Sequence, residues 1–339
     1  MTFPVWKPCV AFYAFLLFRS LLGAQEVALT FDDLPRTGEL PHGSTRVEII
    51  KEIVRILQDG KTPPIYGFVN GGKVASAPEE LEALKAWTAA GFPLGNHGYS
   101  HLNLAETSVR RYTRDISANE PLLRSIAPKQ YDWHWFRYPY LEEGETRRKK
   151  DAVTAFLKKN HYRIAEVTLD FEDFLWNAPY ARCLAKNDTA SLDWLKSNYL
   201  IAAEERIEFG QKMSQALYGR DIKHIMLLHV GGFETVMLPE LLKLLKQKNF
   251  KLITLEEAAS DPAYKTDHEW ATLHGGDFLT LSMNRRGLEI PWHRRFPRAQ
   301  LASICYGTAT HNAVIRQDRA AKPSPQDTPQ KTPRSIPTQ

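Results

Sequence analysis

Seven short apolar runs, separated by segments with helical spacing, constrain the fold of this 339-residue chain. Each run has the length and composition of a buried strand, and each intervening segment is long enough for a crossover helix. This alternation predicts an α/β fold with a parallel sheet that is closed or nearly closed into a barrel. The predicted strands cover residues 27–31, 65–70, 92–95, 133–138, 162–169, 222–229 and 251–255.

Chemically reactive side chains follow these runs at or just past the point where the strand ends. Asp32 and Asp33 follow the first run, His97 the third, Arg137 the fourth and His229 the sixth. In parallel α/β barrels the active site lies on the face formed by the carboxyl ends of the strands. We therefore expect these side chains to meet in one site.

A divalent metal site is predicted from one carboxylate and two histidines. One member of the Asp32–Asp33 pair can bind the metal while its neighbour accepts a proton. His97 and His101 are four residues apart, which places both imidazoles on one face if the loop enters a helical turn. Taken alone, the two histidines also fit one core residue and one surface residue.

The remaining candidates supply acid/base and binding groups. A guanidinium at Arg137 can lower the pKa of a neighbouring carboxylate, and the Tyr140 N–H can donate to an oxyanion. Asp170 or Asp173 can orient a histidine, and the aromatic residues that follow can line a sugar site. His229 ends a buried apolar run and is suited to act as a general acid.

The two ends of the chain differ from its middle. Residues 1–24 carry Lys7, an apolar stretch and a small-residue end at Ala24, which favours a cleaved export signal over a short membrane anchor. In residues 261–317 the apolar residues recur with no clear periodicity, and this segment is assigned to a small C-terminal appendage of unknown role. Residues 318–339 are rich in proline and polar residues and are predicted to be disordered.

Composition adds few constraints. The net charge of +5 is mild, and no basic run with interleaved aromatics indicates a nucleic-acid partner. If Cys9 is removed with the signal, Cys183 and Cys305 remain, and the sequence leaves open whether they pair. The oligomeric state is also open. We expect an exported protein, periplasmic or extracellular, without a stable membrane span after signal removal.

Taken together, these motifs resemble the polysaccharide deacetylase family, which has NodB homology and forms carbohydrate esterase family 4. The resemblance covers about residues 26–258, the proposed catalytic domain at 25–260, with the motif regions in order. It implies a distorted (β/α)7 barrel and a metal-dependent hydrolase that removes acetyl groups from N-acetylated or O-acetylated sugars of a polysaccharide, such as peptidoglycan or chitin oligomers.

The resemblance also assigns roles. It implies Asp32 as the catalytic base, His229 as the acid, Arg137 and Asp173 as the residues that position them, and Tyr140 as the oxyanion donor. It implies Asp33, His97 and His101 as ligands of one divalent ion, most often Zn²⁺, with Co²⁺, Ni²⁺ or Mn²⁺ as alternatives. Residues expected to contact substrate are Pro139, Tyr140, Phe174, Trp176 and Leu227.

Departures from the family pattern and three alternative functions stay open at this point. Leu34 and Gly98 stand where the family often has Gly and Ser or Thr, and the helical insertion at about 177–220 is long. The alternatives are a hydrolase of a non-sugar amide, a glycoside hydrolase, and a metal-containing carbohydrate-binding protein without activity.

Overall fold

A computed structural model describes residues 24–265, 275–292 and 296–306. Within these residues the chain forms seven strands and eleven α-helices. The strands are β1 (Gln25–Leu34), β2 (Tyr66–Val69), β3 (Leu94–Asn96), β4 (Trp135–Phe136), β5 (Arg163–Ile164), β6 (His224–His229) and β7 (Phe250–Leu252). The helices are α1 (Arg46–Asp59), α2 (Gly71–Ser76), α3 (Leu81–Ala89), α4 (Val109–Ile126), α5 (Arg147–Lys159), α6 (Asn177–Ala185), α7 (Thr189–Tyr218), α8 (Glu234–Gln247), α9 (Leu255–Ala259), α10 (Phe278–Arg285) and α11 (Arg298–Ser303). Short 3-10 turns cover Pro78–Glu80, Pro139–Leu141, Asp173–Trp176 and Pro262–Lys265.

All strands are parallel and form one curled sheet. Its order is β5-β4-β3-β2-β1-β6, and β7 pairs with the first residues of β1. The chain beyond β5 reaches β6, where Leu169 bridges Met226 and the Leu227 N–H donates to the Leu169 carbonyl at 2.9 Å. The two ends of the six-strand path are thus linked, and the predicted distorted barrel with surrounding helices is confirmed.

The register of the two central strands positions the candidate site. β1 and β6 are buried along almost their whole length, because helices cover the parallel sheet and require apolar side chains on both faces. Their pairing runs from Val27 opposite His224 to Asp32 opposite His229. The reactive residues of both strands therefore lie side by side at the carboxyl edge.

The crossover helices use the sequence signals expected of them. The α1 helix begins with a capping box between Thr45 and Glu48, and its Ile50, Ile53 and Leu57 pack into the core. The long insertion forms α6 and α7, which pack on each other and, through Cys183, Leu195 and Tyr199, contribute to the main core cluster.

The C-terminal residues that the structure describes pack on the barrel. The α10 helix lies against α7, where Asp277 forms a buried ion pair with Arg206 at 2.6 Å. The last described segment, 296–306, is joined to α6 by a disulfide between Cys183 and Cys305, a pairing that the sequence had left open.

Several sequence assignments fall on other parts of the chain. The proposed signal peptide lies outside the described residues except for its last position, and the tail at 318–339 lies wholly outside them. Of the C-terminal appendage, residues 266–274, 293–295 and 307–317 are outside the described part. No helix among the described residues is both long and apolar enough for a bilayer span.

Candidate metal centre and active site

Asp32 lies at the carboxyl end of β1, buried and held by Arg137. The Arg137 Nη1 donates to Asp32 Oδ1 at 3.2 Å and to Oδ2 at 3.3 Å, and its Nη2 donates to Thr30 Oγ1 at 3.1 Å. The Nε group donates to the Ala165 carbonyl, and the guanidinium lies over the Phe68 ring. Burial raises the pKa of Asp32 above its ordinary value, while Arg137 and His229 oppose that rise.

The adjacent Asp33 has a different environment because the backbone turns at this residue. Its φ of 68° is in the left-handed region, so the backbone leaves the extended path of the strand here. The Thr37 hydroxyl donates to Oδ2 at 3.0 Å, and the Lys73 ammonium donates to Oδ1 at 2.7 Å. Although burial raises the pKa of Asp33, the charges of Lys73 and His101 hold it well below the ordinary value.

The two histidines of the 97–101 loop face this carboxylate. His97 is buried, and its Nδ1–H donates to the Arg137 carbonyl at 2.8 Å, which leaves Nε2 as the nitrogen available to a metal. His101 has φ 53° and places its Nε2 3.4 Å from Asp33 Oδ1. Burial lowers the pKa of His97 to about 3 and that of His101 to about 4.

These three residues fit a divalent cation. One ligand atom each from Asp33, His97 and His101 lies within 4.8 Å of the other two. Both imidazoles are neutral and the carboxylate is ionised at neutral pH, which are the protonation states that a metal requires. Two nitrogens and one oxygen form the usual donor set of a catalytic site that keeps a coordination position open.

His229 is the last residue of β6 and lies opposite Asp32 in the sheet. Its Nδ1–H donates to Asp173 Oδ1 at 2.7 Å, and its backbone N–H donates to Asp173 Oδ2 at 2.6 Å. Burial lowers the pKa of His229, but Asp173, with Asp33 and Asp32, raises it to about 9. The ring is therefore protonated at neutral pH, with Nε2 free of the Asp173 tether.

The turn after β4 places Tyr140 beside the two histidines. Tyr140 adopts φ 60° and ψ 11°, and its ring packs edge-on against His101 with 4.5 Å between ring centres. The hydrogen bonds of the turn are made by the N–H groups of Leu141 and Glu142. Asp33, His101 and Tyr140 thus all have the strained left-handed backbone that is concentrated at functional sites.

The expected substrate-contact residues do not all reach the surface of the site. The Tyr140 side chain is 61% exposed and Phe174 is 39% exposed, with the Phe174 ring 5.1 Å from the ring of His229. Pro139 and Leu227 are buried, and Leu227 shares a strand face with His229.

Trp176 is a correction to the sequence-based assignment. It is 0% exposed and packs among Tyr199, Trp194 and Phe233, because the 3-10 turn at Asp173–Trp176 directs it inward. It therefore lies in the core behind the site, where the sequence-based assignment had expected an exposed contact residue.

The structure explains one of the sequence departures and adds a residue that the motifs missed. A Cβ at Gly98, which has φ 73°, would lie 2.9 Å from Asp115 Oδ2, and Asp115 braces the loop by accepting from the Ser100 N–H.

Lys73 was not predicted, although a lysine just past the end of a buried strand is a recognisable signal. Its ammonium contacts Asp33, a candidate metal ligand.

Comparisons with known proteins found one matching family model. The family model for polysaccharide deacetylases matches residues 22–165, which include Asp32, Asp33, both histidines of the loop and Arg137. No curated protein sequence matches the chain.

Several solved structures align over the barrel. A carbohydrate esterase family 4 pseudoenzyme from Bacillus anthracis is 17% identical, with a TM-score of 0.47, over 69% of this chain and 65% of its own. A chitin deacetylase from the fungus Colletotrichum lindemuthianum is 22% identical, with a TM-score of 0.47, over 75% of this chain and 94% of its own. A peptidoglycan deacetylase from Bacillus subtilis is 23% identical, with a TM-score of 0.44, over 69% and 91%. Over residues 22–165, which contain the first five strands, the chain is therefore similar to the polysaccharide deacetylases, a family of hydrolases.

Proposed function

We propose that this protein is a metal-dependent deacetylase that removes acetyl groups from N-acetylated or O-acetylated sugars of a polysaccharide. One observation carries the proposal, namely the separate environments of two adjacent carboxylates. Asp32 is held by Arg137, while Asp33 faces His97 and His101. A base and a metal ligand are thus formed from neighbouring residues, and the protonated His229 lies opposite.

The metal would be held by Asp33, His97 and His101. A divalent ion there, which we propose to be Zn²⁺ with Co²⁺, Ni²⁺ or Mn²⁺ as alternatives, supplies a Lewis acid that polarises the acetyl carbonyl and activates water. The neutral imidazoles and the ionised carboxylate prepare the protein to bind it.

The residues of the chain then divide the proton transfers. Asp32 accepts the proton of the attacking water, and Arg137 keeps that carboxylate oriented through its paired contacts. The Tyr140 N–H is the proposed donor to the oxygen that becomes negative in the tetrahedral intermediate. His229 donates its proton to the sugar nitrogen, or to the sugar oxygen of an O-acetyl group, as the bond to the acetyl carbon breaks and acetate is released, and Asp173 holds the ring in the orientation that this transfer needs.

The exposed aromatic groups indicate where a sugar would bind. Phe174 lies next to the proposed acid, and Tyr140 lies next to a proposed metal ligand. Partly exposed rings beside these histidines suit the flat faces of a pyranose. The catalytic domain at 25–260 would accept peptidoglycan, chitin oligomers or a related acetylated glycan.

Export is part of the proposal. Residues 1–24 have the composition of a signal peptide, and the Cys183–Cys305 disulfide is suited to an oxidising compartment. A periplasmic or extracellular location is also where an acetylated cell-wall glycan would be met.

The test is acetate release from a substrate panel. The mature protein, stripped of metal and then reloaded with Zn²⁺, is incubated with N-acetylglucosamine oligomers, peptidoglycan, acetylated xylan and simple N-acetyl amides, and the products are identified by mass spectrometry. We expect metal-dependent acetate release with intact sugar chains. Shortened chains would indicate a glycoside hydrolase instead. Glycan binding without products would indicate a non-catalytic protein, and turnover of simple amides alone would indicate a non-sugar amidase.

A further inference from the structure

We infer that Lys73 is a resident cation that shares Asp33 with the metal and weakens metal binding. Lys73 is in α2, which starts just beyond the end of β2, and only 22% of its side chain is exposed. The inference rests on the metal site of the proposed function, and its test separates the two.

The ammonium is fixed in one position by three acceptors. Lys73 Nζ donates to Asp33 Oδ1 at 2.7 Å, to the Asp33 carbonyl at 3.1 Å and to the Arg36 carbonyl at 3.1 Å. An ammonium has three N–H donors, so this set satisfies all of them. The positive charge is therefore held at Asp33 and is not available to swing toward solvent.

The carboxylate oxygen that Lys73 contacts also faces the histidines. His101 Nε2 lies 3.4 Å from Asp33 Oδ1, whereas Oδ2 accepts from the Thr37 hydroxyl. A cation bound between Asp33 and His101 would approach Oδ1, next to the ammonium. Two positive charges would then share one carboxylate oxygen.

Charge repulsion decides the direction of the effect. The Lys73 and Asp33 side chains are only 22% and 17% exposed, so an ammonium and a divalent ion that contact the same carboxylate would repel each other with little screening by solvent. The compensating benefit, a carboxylate held ready for the metal, does not depend on Lys73 alone, because Thr37 and the backbone turn at Asp33 also hold it. Removal of the lysine charge is therefore expected to tighten metal binding.

A competing explanation is that Lys73 only holds the loop through the two carbonyls. The Lys73→Met and Lys73→Gln variants separate charge from structure, because Gln keeps a hydrogen-bond donor without a charge. Lys85→Met is the matched control, since Lys85 is an exposed lysine that pairs with Glu82 on α3. Melting of each metal-free variant reports any damage to the fold.

The experiment measures the Zn²⁺ dissociation constant of the full chain by competition with a chromophoric chelator. We expect both Lys73 variants to bind Zn²⁺ about tenfold or more tightly than wild type, with a larger rise in melting temperature on addition of Zn²⁺, and Lys85→Met to match wild type. Unchanged or weaker binding in both folded Lys73 variants would overturn the inference and leave the metal site standing. If wild type itself binds no divalent metal, the proposed function fails, and this inference fails with it.

Discussion

His229 and Asp173 are joined by two hydrogen bonds, one from the ring at 2.7 Å and one from the backbone at 2.6 Å. The double contact fixes the imidazole relative to its own main chain as well as to the carboxylate. Asp173 begins the 3-10 turn at Asp173–Trp176, which comes shortly after Leu169, the residue that bridges Met226 of β6. The contact therefore also holds this turn against β6. A proton donor held this way has little freedom to leave the site.

The first prediction concerns the pH dependence of turnover. Asp32 must be ionised to act as a base, so activity is lost as pH falls through its raised pKa. His229 must be protonated to act as an acid, so activity is lost as pH rises through its pKa of about 9. We expect a bell-shaped profile of kcat/KM, measured by acetate release across pH 4–10.

The Asp173→Asn variant tests whether His229 causes the loss of kcat/KM at high pH. It removes the carboxylate charge that raises the pKa of His229, so the alkaline limb of the pH profile should move to lower pH. An alkaline limb at the wild-type position would show that another group controls it.

The second prediction concerns the metal ligands. The loss of a residue that only orients a metal ligand costs about 10–100-fold in affinity, so His101→Ala and Asp33→Ala should each weaken Zn²⁺ binding by more than about 100-fold. His134→Ala is the control, because its ring pairs with Asp132 away from the candidate ligands. Metal content after dialysis, measured by mass spectrometry, checks the result. Wild-type metal content in His101→Ala would remove that residue from the site.

The third prediction concerns the disulfide. Cys183 and Cys305 are 122 residues apart, and closing a loop of that size stabilises a fold by about 4–5 kcal/mol in the chain-entropy treatment. Cys183→Ser combined with Cys305→Ser should lower the melting temperature by roughly 10 °C. Wild type under strong reductant should show the same shift, and no shift in either case would mean that the link adds no stability.

The fourth prediction concerns Phe174, an exposed aromatic residue expected to contact the sugar. Phe174 is partly exposed beside His229, so Phe174→Ala should raise KM for an oligosaccharide by roughly tenfold while kcat changes less. Leu184→Ala, at another partly exposed apolar position on α6, should leave both constants unchanged. A fall in kcat at constant KM would instead place Phe174 in the positioning of His229.

The sequence predicted the barrel and the proximity of Asp33, His97 and His101 because both depend on local patterns. Apolar runs with reactive residues at their ends are visible in the chain, and parallel strands bring those ends together. The predicted sixth strand at 222–229 and the observed β6 (His224–His229) differ by two residues at one end only.

The details that sequence reasoning missed depend on contacts between distant parts of the chain. The burial of Trp176 arises from its packing against Tyr199 and Phe233, which no local pattern shows. The position of Lys73 depends on the turn at Asp33, and the pairing of Cys183 with Cys305 depends on how the last described segment docks on α6.

The most direct test compares acetate release by wild type and Asp32→Asn, both loaded with Zn²⁺, on N-acetylglucosamine oligomers. Asn keeps the shape of the side chain but cannot take a proton, and Asp32 is not among the proposed ligands. We predict that the variant retains metal and loses activity by a factor of about 10²–10⁴. Turnover near the wild-type rate in the metal-loaded variant would contradict the account, because the proposed reaction depends on Asp32 as its base.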